Sequence, residues 1–353
     1  MFKSSCHLLA LWVFVLASIV SGYSDKPSSE KPGDSSHFII YVTNEKSGDL
    51  SEIDSSTLHV IATIPLGKRP RGIHASPDRR YLYIALSGSP IAGPGVDESK
   101  LPPPDRSADG IGVFDVQQNK LIRTIPSGSD PENFDITKDG CTIIVSNEDA
   151  ATASFVDIAS GKVTKSVPVG EEPEGVTVSP NGKFVYVTSE NTGTISVIDV
   201  GTATPVKTIK VGRRPRSVAF SLDGSRAYVT AENDGAVTVV DTAKSEAIQT
   251  ISLGERGAIK PMSVLLSADG ATLYVSTGRG HKLFVIDTAT TRVTASLEIG
   301  ERPWGIALSP DGKILFSANG PSNDVSVVNV ATLDVTKKVK VGEGPWGVVA
   351  LEH

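Results

Sequence analysis

The chain has 353 residues, 39% of them hydrophobic, with 33 Gly and 22 Pro. That balance suits a turn-rich all-β protein and excludes a disordered one, which would lack the apolar residues to bury a core. A formal net charge of −6 at pH 7 gives no basic stripe of the kind that carries nucleic-acid binding.

In chain order, the first element reads as a secretory signal peptide at residues 1–22. Lys3 supplies the positive end, Leu8 to Val20 the apolar core, and Val20-Ser21-Gly22 the small residues for cleavage. The core is about 13 residues long, short of the roughly 20 that cross a bilayer. The mature protein is therefore expected to be periplasmic or secreted, with no membrane span. Removal of the signal takes Cys6 and leaves Cys141 as a free thiol at a hairpin, so no internal disulfide is expected. Residues 23–36 carry no apolar periodicity and read as a flexible leader, ahead of a single domain over residues 37–353.

From residue 37 onward the chain repeats. Prolines 70, 131, 173, 215, 261, 303 and 345 open similar sentences, at spacings of 61, 42, 42, 46, 42 and 42 residues. The unit over residues 303–342 has four short β-branched runs. Trp304 to Leu308 is followed by the tight turn Ser309-Pro310-Asp311-Gly312, then by Ile314 to Ala318, Val325 to Val330 and a run ending at Val341. Four antiparallel strands in about 42 residues, repeated in tandem, predict a β-propeller. The first run, His37 to Thr43, matches a second strand, and the last, Pro345 to Leu351, a first strand. Six complete units and this composite predict seven blades, with the C-terminal strand joining the N-terminal three. The 61-residue step holds a proline-rich loop insertion, residues 88–109, between strands two and three of one blade.

The runs Phe184-Val185-Tyr186-Val187-Thr188 and Leu273-Tyr274-Val275-Ser276, each followed by a Val-x-Asp such as Val197-Ile198-Asp199 or Val285-Ile286-Asp287, resemble the YVTN family of β-propeller repeats. The last unit, with Arg302-Pro303-Trp304-Gly305, is also similar to exported propellers associated with quinone-cofactor (PQQ-dependent) catabolism. The resemblance implies export and a binding or scaffold role.

In such a fold the residue after each signature proline stands at the mouth of the central channel: Arg71, Glu132, Glu174, Arg216, Met262, Trp304 and Trp346. Three residues further along, His74 and Asp135 add polar groups. Outside the signal, Met262 is the only methionine and Trp304 and Trp346 the only tryptophans. Their clustering predicts a ligand or partner site with an aromatic floor and a charged wall. The competing reading is an aromatic plug beneath a solvated belt of ion pairs. Glu45, Glu148, Glu190 and Glu232, together with their Asn and Asp neighbours, read mainly as turn formers. Arg69, Arg213, Arg214 and Arg302 read mainly as solvated.

The expectation is an exported, non-catalytic, monomeric propeller that binds a partner protein or a small ligand at this face, with no cofactor and no assigned catalytic residue. One alternative is a lactonase-like hydrolase or cofactor-handling enzyme in the funnel. It would use a divalent cation such as calcium, with Glu132, Asp135, Glu174 and His74 as weak ligand candidates. Another is single-stranded nucleic acid stacking on Trp304 and Trp346, against which the acidic balance argues.

Overall fold

The computed structural model describes residues 37–91 and 100–352. The expected signal peptide and leader, and residues 92–99 of the insertion, lie outside the described residues. Among the described residues, twenty-eight strands, numbered β1 to β28 along the chain, form seven four-stranded antiparallel sheets. No helix among them is long and apolar enough to cross a membrane.

Six blades take their strands in chain order, and the seventh is composite. Its order is β28 (Pro345–Glu352), β1 (Phe38–Asn44), β2 (Asp49–Asp54) and β3 (His59–Pro65). Ile39 stands opposite Leu351 and Val42 opposite Val348, so the ring closes as the sequence predicts. Along β1, alternate side chains serve opposite neighbours, as a period of two requires. Phe38, Ile40 and Val42 join Phe316, Val325 and Val327 of the preceding blade. Ile39 and Tyr41 join Leu82, Ile84 and Phe114 of the following one.

This two-sided packing explains why second strands read as unbroken apolar runs and are buried throughout their middles. Fourth strands such as β15 (Thr204–Lys210) form the outer rim and are exposed except at one position. First strands line the axis: β4 (Ile73–Ala75), β8 (Pro131–Ile136), β12 (Pro173–Val178), β16 (Pro215–Phe220), β20 (Pro261–Leu266), β24 (Pro303–Leu308) and β28. They crowd there, so a side chain at Gly175 would stand 2.2 Å from the carbonyl oxygen of Arg216.

A hydroxyl near the end of the second strand crosses each of five seams to the next blade. Thr43 donates to the carbonyl of Arg71 (2.7 Å), Ser146 to Glu174 (2.6 Å), Thr188 to Arg216 (3.2 Å), Thr230 to Met262 (2.7 Å) and Ser276 to Trp304 (2.7 Å). Ala85 occupies this position in the blade holding the insertion. There a backbone bond from Gly72 to the carbonyl of Glu132 (3.4 Å) spans the seam instead. Every acceptor belongs to the ring of residues that follow the signature prolines, so the repeat itself fixes the mouth of the channel.

Candidate functional site

The residue before most signature prolines has a left-handed backbone: φ is 41° at Arg69, 53° at Asp130, 51° at Glu172, 56° at Arg214 and 49° at Arg302. Such a conformation is unfavourable for a side-chain-bearing residue and costs roughly 1–3 kcal/mol. It is offset by a hydrogen bond across the blade. The carbonyls of Asp130, Glu172 and Arg214 accept from the backbone N–H of Glu148 (3.0 Å), Glu190 (2.9 Å) and Glu232 (2.9 Å). This turn places three acids, Glu148, Glu190 and Glu232, from three consecutive second-to-third-strand loops, against the ring that follows the prolines.

The two rings assemble two charged clusters. In the first, Arg71 is almost wholly buried. It donates to Asp130 Oδ1 at 2.5 Å and to the carbonyl of Pro131 at 2.7 Å, pairs with Glu132, and lies 3.7 Å from Glu148. In the second, Arg216 binds Glu174 (2.7 Å), Glu190 and Glu232 (3.1 Å). Arg214 reaches Glu190 (2.7 Å) and Glu232 (3.1 Å), and Lys260 reaches Glu232 (3.1 Å). These pairs are not a solvated belt, and Glu148, Glu190 and Glu232 are not mere turn formers. Glu190 and Glu232 are buried, where an unpaired charge could not be kept.

The clusters treat their carboxyls differently. Burial alone would raise Glu232, yet Arg216, Arg214 and Lys260 hold it below the usual range. Burial would likewise raise Asp130, which Arg71 and the Ser87 hydroxyl keep low. Glu148 goes the other way. Burial pushes it up to about 7 against the pull of Arg71, with the nearby Glu174 and Asp130 carboxylates adding to the rise. Its side chain is 29% exposed and lines the mouth.

On the aromatic side, Trp304 and Trp346 stack with centroids 5.8 Å apart at 27°. Arg302 and Arg216 lie 5.1 Å and 5.3 Å from the centre of the Trp304 ring. Among the described residues no carboxylate lies within ion-pair distance of the Arg302 guanidinium.

Of the nine residues singled out from the sequence, Arg71, Glu132, Glu174, Arg216, Trp304 and Trp346 line one cavity of about 940 Å³ at the mouth. Met262 does not: it is 5% exposed and packs beneath Gly278. His74 and Asp135 line a separate cavity of about 320 Å³ along the channel. There His74 meets the Phe134 ring edge-on (5.0 Å), and Asp135 accepts from the backbone of Val178 and Ile136, both at 2.7 Å. Burial raises the Asp135 carboxyl despite His74.

The expected metal set is therefore divided, with Glu132 and Glu174 at the mouth and His74 and Asp135 below. The carboxylates that do converge are Asp130, Glu132 and Glu148, whose ligand atoms lie within 4.8 Å of one another. The guanidinium of Arg71 pairs with all three and fills the place a cation would take. The carboxylate oxygens are donors of the kind calcium takes, and it is the guanidinium paired with them that argues against an ion there.

The family model described as "Lactonase, 7-bladed beta-propeller" matches residues 34–178 and 176–348. No curated protein matches the chain at a significant level. Solved structures share its fold. A proposed 6-phosphogluconolactonase of Bacteroides fragilis is 20% identical, covering 91% of this chain and 100% of its own, with a TM-score of 0.73. A second, from Bacteroides uniformis, is 20% identical over 90% and 100%, with a TM-score of 0.72. The Kuenenia stuttgartiensis hydrazine synthase is 21% identical over 83% and 92%, with a TM-score of 0.70. At these identities the likeness speaks for the fold alone. The family match overturns the expectation of a non-catalytic binder and favours the hydrolase alternative.

Proposed function

Because the chain belongs to the seven-bladed β-propeller lactonase family, we propose that it hydrolyses a lactone in the cavity at the channel mouth, without a metal ion. The observation that carries this reading is the Glu148 carboxyl, raised to about 7 by burial on the wall of that cavity. A general base works best with a pKa near the operating pH. In its ionised form Glu148 takes a proton from a water molecule as the oxygen attacks the lactone carbonyl carbon. The carbonyl electron pair moves onto oxygen, and Arg302, which among the described residues has no carboxylate within ion-pair distance, is a cation placed to meet that charge. The tetrahedral intermediate then collapses. The ring C–O bond breaks, and the departing alkoxide takes the proton from Glu148, which leaves a hydroxy acid and the carboxylate restored.

Arg71 holds the Glu148 side of the site in place, and Arg216 fixes Glu174, Glu190 and Glu232 around the Trp304 ring. The test is hydroxy-acid release from a panel of γ- and δ-lactones by the purified protein and by Glu148→Gln. Turnover by the wild type and its loss in the variant support the reading. Full activity in the variant, or none in the wild type on any lactone, sinks it. Export, read from residues 1–22, and a YVTN-type repeat within this family belong to the same proposal, supported by the sequence runs quoted above.

A further inference from the structure

His74 and Asp135 take no part in the site at the mouth, yet among the described residues they are the only titratable side chains on the channel cavity of about 320 Å³. They hold the same repeat position on β4 and β8, first strands of adjacent blades, so the ring sets them side by side on the wall. Asp135 is fixed there by neutral donors. Its Oδ1 accepts from the N–H of Ile136 and its Oδ2 from that of Val178 on β12, each at 2.7 Å. At the mouth, Asp130, Glu132, Glu174, Glu190 and Glu232 each meet an arginine or lysine. No lysine or arginine lines the channel cavity. A carboxylate withdrawn from water keeps its charge only against a counter-charge. The chain offers Asp135 nothing but the imidazole of His74, whose ring meets Phe134 and whose nitrogens bond no other described residue.

The rest of the cavity says what could complete the pair. Asn133, two residues earlier on the same face of β8, also lines it. Its Oδ1 accepts from the N–H of Phe134 at 2.9 Å and keeps a second lone pair. Ala219 and Leu265 share the repeat position of His74 and Asp135, three blades further round the ring, and give the far side of the channel an apolar wall. We propose that the channel cavity is a second binding site, separate from the mouth, for a small primary ammonium ion. Its head donates to Asp135 and to the neutral imidazole of His74, and its short alkyl tail lies against Ala219 and Leu265. An ammonium group carries three donors and no acceptor, which suits a wall that offers acceptors and lacks a cation. A space of this size is at the small end of ligand pockets, so the tail is short. The proposal goes beyond the lactonase reading and does not depend on it.

The test is isothermal titration of the purified protein with n-butylammonium chloride, with 1-butanol as the uncharged isostere and sodium chloride as the bare cation. The ammonium should bind about tenfold or more tightly than the alcohol, the weight of hydrogen bonds to a charged group. Sodium should not displace it at equal concentration. Asp135→Asn should remove the preference for the charged ligand. The new amide would set an N–H against a backbone donor, so circular dichroism checks the fold and a second variant stands beside it. Ala219→Phe fills the tail space and keeps the carboxylate, and it should lose butylammonium while retaining methylammonium. Glu148→Gln, which removes a carboxyl from the mouth, should bind butylammonium as the wild type does. No binding, equal affinity for ammonium and alcohol, equal competition by sodium, loss of binding in Glu148→Gln, or full binding in both channel variants overturns the proposal. Turnover enters none of these measurements, so the hydrolase reading can fail while this result stands.

Discussion

The hydroxyl of Ser146 donates to the carbonyl oxygen of Glu174 at 2.6 Å, across the seam between two blades. Both atoms are buried, and the acceptor belongs to a residue whose side chain binds Arg216. Ser146→Ala should therefore lower stability by about 1 kcal/mol, the usual net value of such a bond, and should loosen the second cluster. Denaturant unfolding of wild type and variant measures this. An unchanged midpoint would mean that the seam is held by packing alone.

Arg71 is the only cation paired with Asp130, Glu132 and Glu148 among the described residues. Arg71→Met removes it and leaves three crowded carboxylates, two of them buried. The expected loss is about 3–5 kcal/mol near neutral pH, and it should shrink in acid as the carboxylates protonate. A variant with equal losses at pH 7 and pH 4 would contradict the assignment of the cost to charge.

Glu148 gives a pH dependence with a defined sign. Its carboxyl titrates near 7 in the fold and at about 4.3 in an unfolded chain. Between those values the folded protein binds more protons, so this group makes stability fall as pH rises from about 4.3 to about 7, with no further change above. Activity should move the opposite way, rising through pH 7 as the base ionises. Glu148→Gln should abolish both slopes, and a variant that keeps the acid limb of the rate profile would assign the base elsewhere.

Because Arg71 fills the acid triad, chelation should leave both turnover and melting temperature unchanged. Dialysis against EDTA, followed by addition of calcium, checks this. Activity lost on chelation and restored by calcium would require the carboxylates to leave the guanidinium.

The closing seam is open to the same kind of test. Deletion of residues 345–353 removes the side chains of Val348 and Leu351, both buried, each contributing roughly 1.5–3 kcal/mol. The melting temperature should drop sharply. A truncated protein that melts with the full-length one would show that β1 needs no partner at the axis.

The signature prolines and the partial units at each end were enough to read the blade count and the closure from sequence, because both are properties of the repeat. The pairing of Trp304 with Trp346 was legible for the same reason: equal repeat positions become neighbours in space. His74 and Asp135 were placed in the wrong tier. Three residues along a strand is about 10 Å, and on a strand that runs down the axis this moves a side chain out of the mouth and into the channel. Glu148, Glu190 and Glu232 looked like loop residues because nothing in the local sequence announces the left-handed residue before the signature proline that opens the same blade, whose carbonyl accepts from their backbone N–H and draws them inward. Met262 follows a step of 46 residues rather than 42, and its side chain turned beneath Gly278 instead of into the cavity. The deepest misreading was functional: a ring of mixed charges looked like a docking rim, and it was the lactonase family match that overturned the reading as a non-catalytic binder.

The composite sheet sets an order of events during biosynthesis. β1 leaves the ribosome first among the described strands, yet the strand that covers its axial edge is β28, the last of them in chain order. Until then every nascent form carries a naked apolar ribbon with unused amide groups, the kind of surface to which chaperones bind. A chain that stops short of β28 would keep that edge open, and an open apolar edge favours pairing with other chains over the native ring.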